Sequence, residues 1–136
     1  MTGGKPKAKK SGKGDGERRS RGVYQPDRGD FVYLDFTPHA GTEQAGRRPA
    51  LVLSPFDFNV ATGLMVACPI TTKLKSGSFD VEVPRGAQLT GAILSHQLKT
   101  VDWLAHRADF HSKAPEQTVL EVLARIEAIL QIELDP

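Results

Sequence analysis

Residues 43–49 read Glu-Gln-Ala-Gly-Arg-Arg-Pro, between two segments with strand character, residues 31–36 and 50–54. The stretch contains one carboxylate, two guanidinium groups and almost no side chain suited to a core. Because strands fix the ends of a connector while the connector itself tolerates functional residues, the pattern predicts a loop that carries chemistry. The alternative is a solvated connector in which Glu43 and Arg48 form a surface ion pair of little energetic value.

Length and composition are typical of one soluble globular domain: 136 residues, of which 39% are hydrophobic and 25% charged. Cys68 is the only cysteine, so no internal disulfide can form, and a reducing cytoplasm is the expected compartment. As a small hydrophobe, Cys68 is expected in the core, and Trp103 is expected to be buried with a partner for its N–H. No apolar run approaches the ~20 residues of a membrane span, and the basic N-terminus lacks the apolar part of a secretory signal. We therefore expect no membrane partner.

The positive charge is concentrated at the N-terminus. Residues 1–22 hold five Lys and three Arg against Asp15 and Glu17, a net charge of +6, whereas the whole chain carries +2, so the remainder carries −4. The segment has too few apolar side chains to bury a face and is predicted to be disordered. It could hold RNA or another polyanion, or serve only as a solubilising extension. The sequence thus predicts a basic tail over residues 1–22 and a folded domain over residues 23–136.

The folded part has short apolar or alternating segments bounded by turn residues, which predict strands. The predicted strands are residues 30–36, 50–54, 64–68, 79–83 and 91–95, with residues 97–103 continuing or adding to the last, and residues 56–61 could make a helical turn. The period then changes, because Val119, Val122, Ile126 and Leu130 recur at helical spacing. Short strands followed by one helix indicate a mainly β fold, a small antiparallel barrel with a C-terminal helix packed across it.

Three polar clusters follow predicted strands, and strand ends of a small barrel can meet on one rim. The clusters are Glu43 with Arg47 and Arg48, then Thr71, Thr72 and Lys73, then Ser95, His96 and Gln97 with Lys99.

Several motifs occur in a fixed order around these clusters. They are residues 41–49 (GTEQAGRRP), residues 52–55 (VLSP), Asn59, residues 69–72 (PITT), Gly91, Gln97 and residues 99–103 (KTVDW). In this order and spacing, from about residue 26 to residue 130, they resemble the MazF family of toxin endoribonucleases, which includes PemK and Kid.

The resemblance implies an SH3-like antiparallel β-barrel of the CcdB, MazF and Kid type, with a C-terminal helix. It also implies a homodimer, an antitoxin partner of the MazE type, and sequence-specific cleavage of single-stranded RNA, most simply messenger RNA, without a metal or other cofactor.

Family roles carry over only where this sequence matches the family motifs. Arg48 matches the catalytic arginine, Thr71 the threonine that holds the scissile phosphate, and Glu43 a loop glutamate that supports activity. His96 departs from the pattern, because relatives often carry an acidic residue there, so the general base is left open. The predicted RNA-binding residues are Arg47, Thr72, Lys73, Gln97, Lys99 and Phe36, and Phe36 could equally belong to the core.

The residue types agree with metal-free RNA cleavage independently of the resemblance. The 2′-hydroxyl of RNA can attack the adjacent phosphate if a base accepts its proton, an acid protonates the departing 5′-oxygen, and positive charge stabilises the phosphorane. An arginine suits phosphate oxygens bidentately, and a threonine hydroxyl can donate where charge develops. His39, His106 and His111 lack metal-ligand spacing with one another or with Cys68, so no metal site is predicted.

Two other functions fit the same fold. A CcdB-like toxin would bind DNA gyrase without ribonuclease activity, and fold alone cannot separate the two classes. A catalytically weak RNA-binding or antitoxin-sequestering module is the third possibility. Arg48 and Thr71 favour the ribonuclease, since a gyrase-binding toxin needs no phosphate-binding rim.

Overall fold

The computed structural model describes residues 22–36, 46–73 and 77–131, which form seven strands, two α-helices and a short 3₁₀ turn. The strands are β1 (Asp30–Asp35), β2 (Arg47–Val52), β3 (Leu64–Thr71), β4 (Asp80–Glu82), β5 (Ala92–Leu94), β6 (Lys99–Asp102) and β7 (Asp109–Lys113). The helices are α1 (Phe56–Thr62) and α2 (Glu116–Leu130), and the 3₁₀ turn is Ser95–Gln97. Apart from Gly22, the predicted tail lies outside the described residues, and so does Glu43. In the part described, neither helix has the length and apolar character needed to span a bilayer.

The strands form one antiparallel sheet in the order β4-β5-β3-β2-β1-β7, with β6 also paired to β3. The expected mainly antiparallel fold with a C-terminal helix is confirmed. The sheet is open, since no ladder joins β4 to β7 among the described residues. Instead, Val122 and Ile126 of α2 pack in the same core as Val81 of β4 and Phe31 of β1, so the helix covers the core on this side.

Strand β3 pairs with three other strands. It pairs with β2 through residues 67–69, with β6 through residues 64–67 and with β5 through residues 70–71. The exchange of β6 for β5 falls next to Pro69, which has no N–H to extend a ladder. The 3₁₀ turn connects β5 to β6 at this break, so residues 97–103, which the sequence predicted to continue or add to the strand of residues 91–95, form a separate strand.

Two hydrophobic clusters cover the two faces of the sheet, as period-two alternation requires. One cluster contains Phe31, Leu51 and the buried face of α2, and the other contains Leu34 and Trp103. The indole N–H of Trp103 donates to the carbonyl oxygen of Asn59 at 2.9 Å, so the expected buried tryptophan with a partner is confirmed.

The structure differs from the predicted secondary structure at the start of β2 and at β7. Strand β2 begins at Arg47, not at residue 50, because Asp35 and Leu34 of β1 pair with Arg47 and Arg48 and extend the ladder into the charged stretch. Strand β7 was not predicted, since Asp-Phe-His-Ser-Lys is charged at both ends and has no clear alternation of apolar and polar residues. Its pairing with β1 makes it a strand, and tertiary context of this kind commonly decides β structure.

Candidate functional site

Arg48 and Thr71 share one face of the sheet, near the ends of neighbouring strands. The β2–β3 ladder sets Ala50 opposite Pro69, and Arg48 and Thr71 each lie two residues beyond that pair. Side chains alternate with period two, so both residues belong to the face of Ala50, here called the Arg48 face. Arg48 is exposed, and it can therefore meet a phosphate from solvent.

Thr71 has an oriented hydroxyl. Its Oγ1 accepts a hydrogen bond from the main-chain N–H of Lys73 at 3.2 Å. An accepting hydroxyl keeps its own proton to donate, so Thr71 can still bond an oxygen of a ligand. Of the three residues in this cluster, Thr72 and Lys73 are exposed and Thr71 is half-buried.

Gly91 fixes the main chain at Thr71. Its φ is +133°, and a Cβ at this position would collide with the carbonyl oxygen of Thr71. A glycine is therefore required for β3 and the start of β5 to approach each other at the Arg48 face.

Lys99 and Phe36 extend this face. Lys99 pairs with Ala67, which pairs with Val52 of β2, so Lys99 shares the face with Arg48. Its Nζ lies 5.0 Å from the ring centroid of Phe36, a cation–π contact. Phe36 is half-buried and packs against the cluster of Leu34 and Trp103. Its ring therefore contacts both the core and the Lys99 ammonium group.

Arg47 is engaged by a carboxylate. Its Nη1 lies 3.1 Å from Oδ1 of Asp35, and Nε of Arg107 donates to Oδ2 of Asp35 at 2.8 Å. These hydrogen bonds, that of Arg107 first and that of Arg47 second, hold the pKa of Asp35 below its usual range. Arg107 adopts a left-handed φ of +55°, unusual for a residue other than glycine. Arg47, predicted to bind RNA, is thus already paired with Asp35.

A groove of about 580 Å³ extends from β7 across β1 and β2 to the end of β3, beside the β4–β5 connection. We call it the Tyr33–His111 groove; its walls include Tyr33, Arg47, Thr72, Gln88, Thr90 and His111, and Arg48 also borders it. The rings of Tyr33 and His111 are 5.6 Å apart at an interplanar angle of 53°. Sequence reasoning considered His111 only as a metal ligand and gave Tyr33 no role, because without β7 the two rings could not be brought together.

His96 lies elsewhere. It is on the 3₁₀ turn, with its Nδ1 4.0 Å from Oδ1 of Asp80, a side chain that is only 6% exposed. His96 does not line the Tyr33–His111 groove. The neighbouring Ser95 is buried and Gln97 is exposed. The structure thus brings Arg48 of the first predicted cluster, Thr71 of the second and Lys99 of the third to one face. Glu43 lies outside the described residues, Arg47 is paired with Asp35, and His96 contacts Asp80.

The remaining candidates for chemistry have structural surroundings. Burial raises the pKa of the Cys68 thiol to about 12, which leaves it an unreactive core residue, as expected. Within residues 22–36, 46–73 and 77–131, no three His, Cys, Asp or Glu side chains cluster in a way that could hold a metal ion.

Comparison with known proteins agrees with this architecture. The family of PemK-like, MazF-like toxins of type II toxin–antitoxin systems matches residues 27–130. The endoribonuclease toxin MazF of Escherichia coli strain K12 is 42% identical over 108 residues, which are 79% of this chain and 96% of that protein. The endoribonuclease PemK of Escherichia coli is 33% identical over 108 residues, 76% of this chain and 81% of that protein.

Solved structures give the same result. A crystal structure of MazF from Deinococcus radiodurans has a TM-score of 0.72 at 43% identity and covers 80% of this chain and 99% of its own. A MazE–MazF structure from the same organism has a TM-score of 0.73 at 41% identity, with coverage of 81% and 100%.

The curated relatives are named endoribonucleases, which supports the ribonuclease over the gyrase-binding alternative. The predicted resemblance is confirmed: the chain belongs to the PemK-like, MazF-like family of endoribonuclease toxins of type II toxin–antitoxin systems.

Proposed function

We propose that this protein cleaves single-stranded RNA, most simply messenger RNA, at a short recognition sequence without a metal ion, and that a MazE-like antitoxin blocks it. The observation that carries the proposal is the shared face of Arg48 and Thr71, with the Thr71 hydroxyl oriented by the Lys73 N–H.

The reaction uses the RNA's own nucleophile. The 2′-oxygen forms a bond to the adjacent phosphorus, the bond from phosphorus to the 5′-oxygen breaks, and the products are a 2′,3′-cyclic phosphate and a 5′-hydroxyl. The Arg48 guanidinium neutralises the charge that grows on the equatorial oxygens, and the Thr71 O–H donates to one of them. Lys99 adds positive charge on the same face.

Three groups are candidates for accepting the 2′-hydroxyl proton: His96, Glu43 and Arg48 itself. His96 contacts Asp80 and lies outside the Tyr33–His111 groove. This favours a role in which His96 stabilises the structure or hydrogen-bonds a nucleobase of the RNA, and does not itself accept the proton. A general base typically contributes about 10²–10⁴-fold to the rate, so the three assignments differ measurably.

The proposed assembly is a cytoplasmic homodimer with an antitoxin bound. The existence of MazE–MazF structures from Deinococcus radiodurans supports an antitoxin partner for this chain. Residues 1–22 are proposed as a basic tail that holds long RNA near a catalytic domain over residues 23–136.

The test is incubation of the purified protein with a long RNA in excess EDTA, followed by analysis of the fragment ends. We expect discrete fragments with 5′-hydroxyl and 2′,3′-cyclic phosphate termini, and no fragments from Arg48→Ala. A strict requirement for added magnesium or manganese, or 5′-phosphate ends, would contradict the mechanism. Addition of a synthetic C-terminal segment of the antitoxin should stop cleavage.

A further inference from the structure

We infer that the Tyr33–His111 groove binds one nucleobase of the RNA and reads its identity. The inference rests on the proposed function, because it deepens that site: the Arg48 face holds the phosphate, and the groove holds a base next to it.

Two aromatic rings line the groove. Tyr33 and His111 are both half-buried, and their centroids are 5.6 Å apart. Tyr33 is anchored by packing against the core of Phe31 and Leu51, so its ring is a fixed surface. Unstacked bases of single-stranded RNA are commonly bound on aromatic side chains of this kind.

The ring of His111 is held in a defined orientation. Its Nδ1 lies 2.9 Å from Oγ of Ser112, which is buried, so this contact fixes the orientation of the ring. Within the described residues, no hydrogen bond engages Nε2, and this nitrogen can meet the edge of a ligand.

Polar side chains form part of the groove walls. Thr72, Gln88 and Thr90 are exposed and line the groove, and together they offer hydroxyl and amide groups that both donate and accept. Base edges present donors and acceptors in fixed patterns, which such groups can distinguish. The volume of about 580 Å³ falls within the ~300–1,000 Å³ typical of small-ligand sites.

The charges around the groove also favour a nucleotide as the ligand. No carboxylate lines the described walls of the groove, whereas Arg47 and Arg48 border it. A nucleotide, which carries a negative phosphate, is thus not repelled, and a cationic ligand finds no partner. An apolar peptide is disfavoured, because most of the exposed groups in the groove are polar.

The groove adjoins the proposed phosphate site, because Arg48 also borders the groove. Arg48 belongs to the face of Ala50, while Arg47 and Pro49 belong to the face of Tyr33, since neighbouring strand residues alternate. A strand of RNA crossing the start of β2 can therefore leave its phosphate at Arg48 and direct the adjacent base into the groove.

The test compares wild type with His111→Asn, Tyr33→Leu and Gln88→Ala, with the exposed Gln117→Ala of α2 as the matched control. Tyr33→Leu keeps an apolar group against the core, and His111→Asn keeps a polar group near Ser112, so thermal unfolding should establish that each variant folds. Fragment ends from a long RNA are mapped by sequencing, and kcat and KM are measured on a short oligonucleotide that contains the wild-type cleavage site.

In the groove variants, loss of base stacking should raise KM about tenfold with little change in kcat. These variants should also cleave sequences in which one position of the recognition sequence carries a different base. Gln117→Ala should match wild type in both respects. An unchanged recognition sequence and unchanged KM in folded groove variants would overturn the inference while leaving the ribonuclease proposal intact.

A second measurement does not depend on cleavage. The imidazole signals of His111 are followed by NMR during titration with each of the four ribonucleoside 5′-monophosphates. We expect shifts of the His111 signals that differ among the four bases and vanish in Tyr33→Leu. If wild type cuts no RNA but these shifts occur, the proposed function fails and the nucleobase site stands. Shifts induced only by an antitoxin peptide would assign the groove to protein binding and overturn the inference.

Discussion

Gly91 lies against the carbonyl oxygen of Thr71 with a φ of +133°, so position 91 tolerates neither a Cβ nor the conformational preference of other residues. Gly86 has a similar φ of +89°, but open space surrounds the position that its Cβ would occupy. Substitution of Gly86 by alanine introduces backbone strain alone, whereas substitution of Gly91 introduces strain together with a collision with Thr71.

Gly91→Ala should therefore lower both the melting temperature and the rate of cleavage. Gly86→Ala should lower only the melting temperature, because the strain of a left-handed residue costs about 1–2 kcal/mol of unfolding free energy and no atom collides with the new Cβ. Thermal unfolding and kcat on a short RNA measure the two effects. Equal activity of the two folded variants would show that Thr71 does not need its present position.

Arg48→Ala should reduce the rate of cleavage by about 10²–10³-fold or more, since that is the loss expected when a donor to the transition state is removed. Arg48 is an exposed residue of β2, so the fold should survive. Thr71→Ala should have a smaller effect, because a neutral donor is lost and not a charge. The matched control is Arg85→Ala, an exposed arginine in the β4–β5 connection, which should leave single-turnover cleavage unchanged.

Asp35→Asn should make the protein less stable at neutral pH, because the ion pairs with Arg107 and Arg47 are lost. The pKa of Asp35 is lowered in the folded state, so its contribution to stability is complete above the usual aspartate pKa of ~3.9 and disappears as pH falls through the lowered value. The difference in urea midpoint between wild type and variant should thus shrink from pH 7 to pH 3. The exposed Asp109→Asn serves as control, and a difference independent of pH would contradict the assignment.

Deletion of residues 1–22 removes a net charge of +6. Binding to long RNA should weaken, and the slope of log affinity against log salt should flatten by up to ~4 units. Turnover on a short, saturating oligonucleotide should be unchanged. A large fall in kcat on that substrate would mean that the tail reaches the site of chemistry.

His96→Gln tests the general base. If His96 accepts the 2′-hydroxyl proton, single-turnover cleavage should rise with pH as the histidine loses its own proton, and the variant should lack this acid limb. Because His96 contacts Asp80 and lies outside the Tyr33–His111 groove, we expect the variant to keep the acid limb and most of the wild-type rate. Loss of both would assign the proton transfer to His96.

Local patterns were sufficient for the parts of the fold that depend on burial. The apolar residues Phe31, Val32 and Leu34 predicted β1, both faces of which meet a core. The helical spacing of Val122 and Ile126 predicted α2, one face of which meets a core. The family motifs identified Arg48 and Thr71, whose shared face follows from the observed register.

The remainder depended on partners distant in sequence. Strand β7 exists because β1 pairs with it, and only that pairing brings His111 to Tyr33. The ion pair of Arg47 with Asp35 likewise follows from the β1–β2 register, which residues 43–49 alone do not reveal. The left-handed backbone of Arg107 carries no sequence signal, since glycine is absent from that turn.

The pairing of β3 with three strands also governs how the molecule can open. Detaching β3 from β2 would separate β4, β5 and β6 from β1 and β7, so no small local fluctuation can part Arg48 from Thr71 along this seam. The amide protons of Ala67 and Cys68 should consequently exchange with solvent only through global unfolding, at rates set by the full stability of the domain. The proposed phosphate site at Arg48 and Thr71 is therefore preorganised by a seam of the sheet that opens only cooperatively.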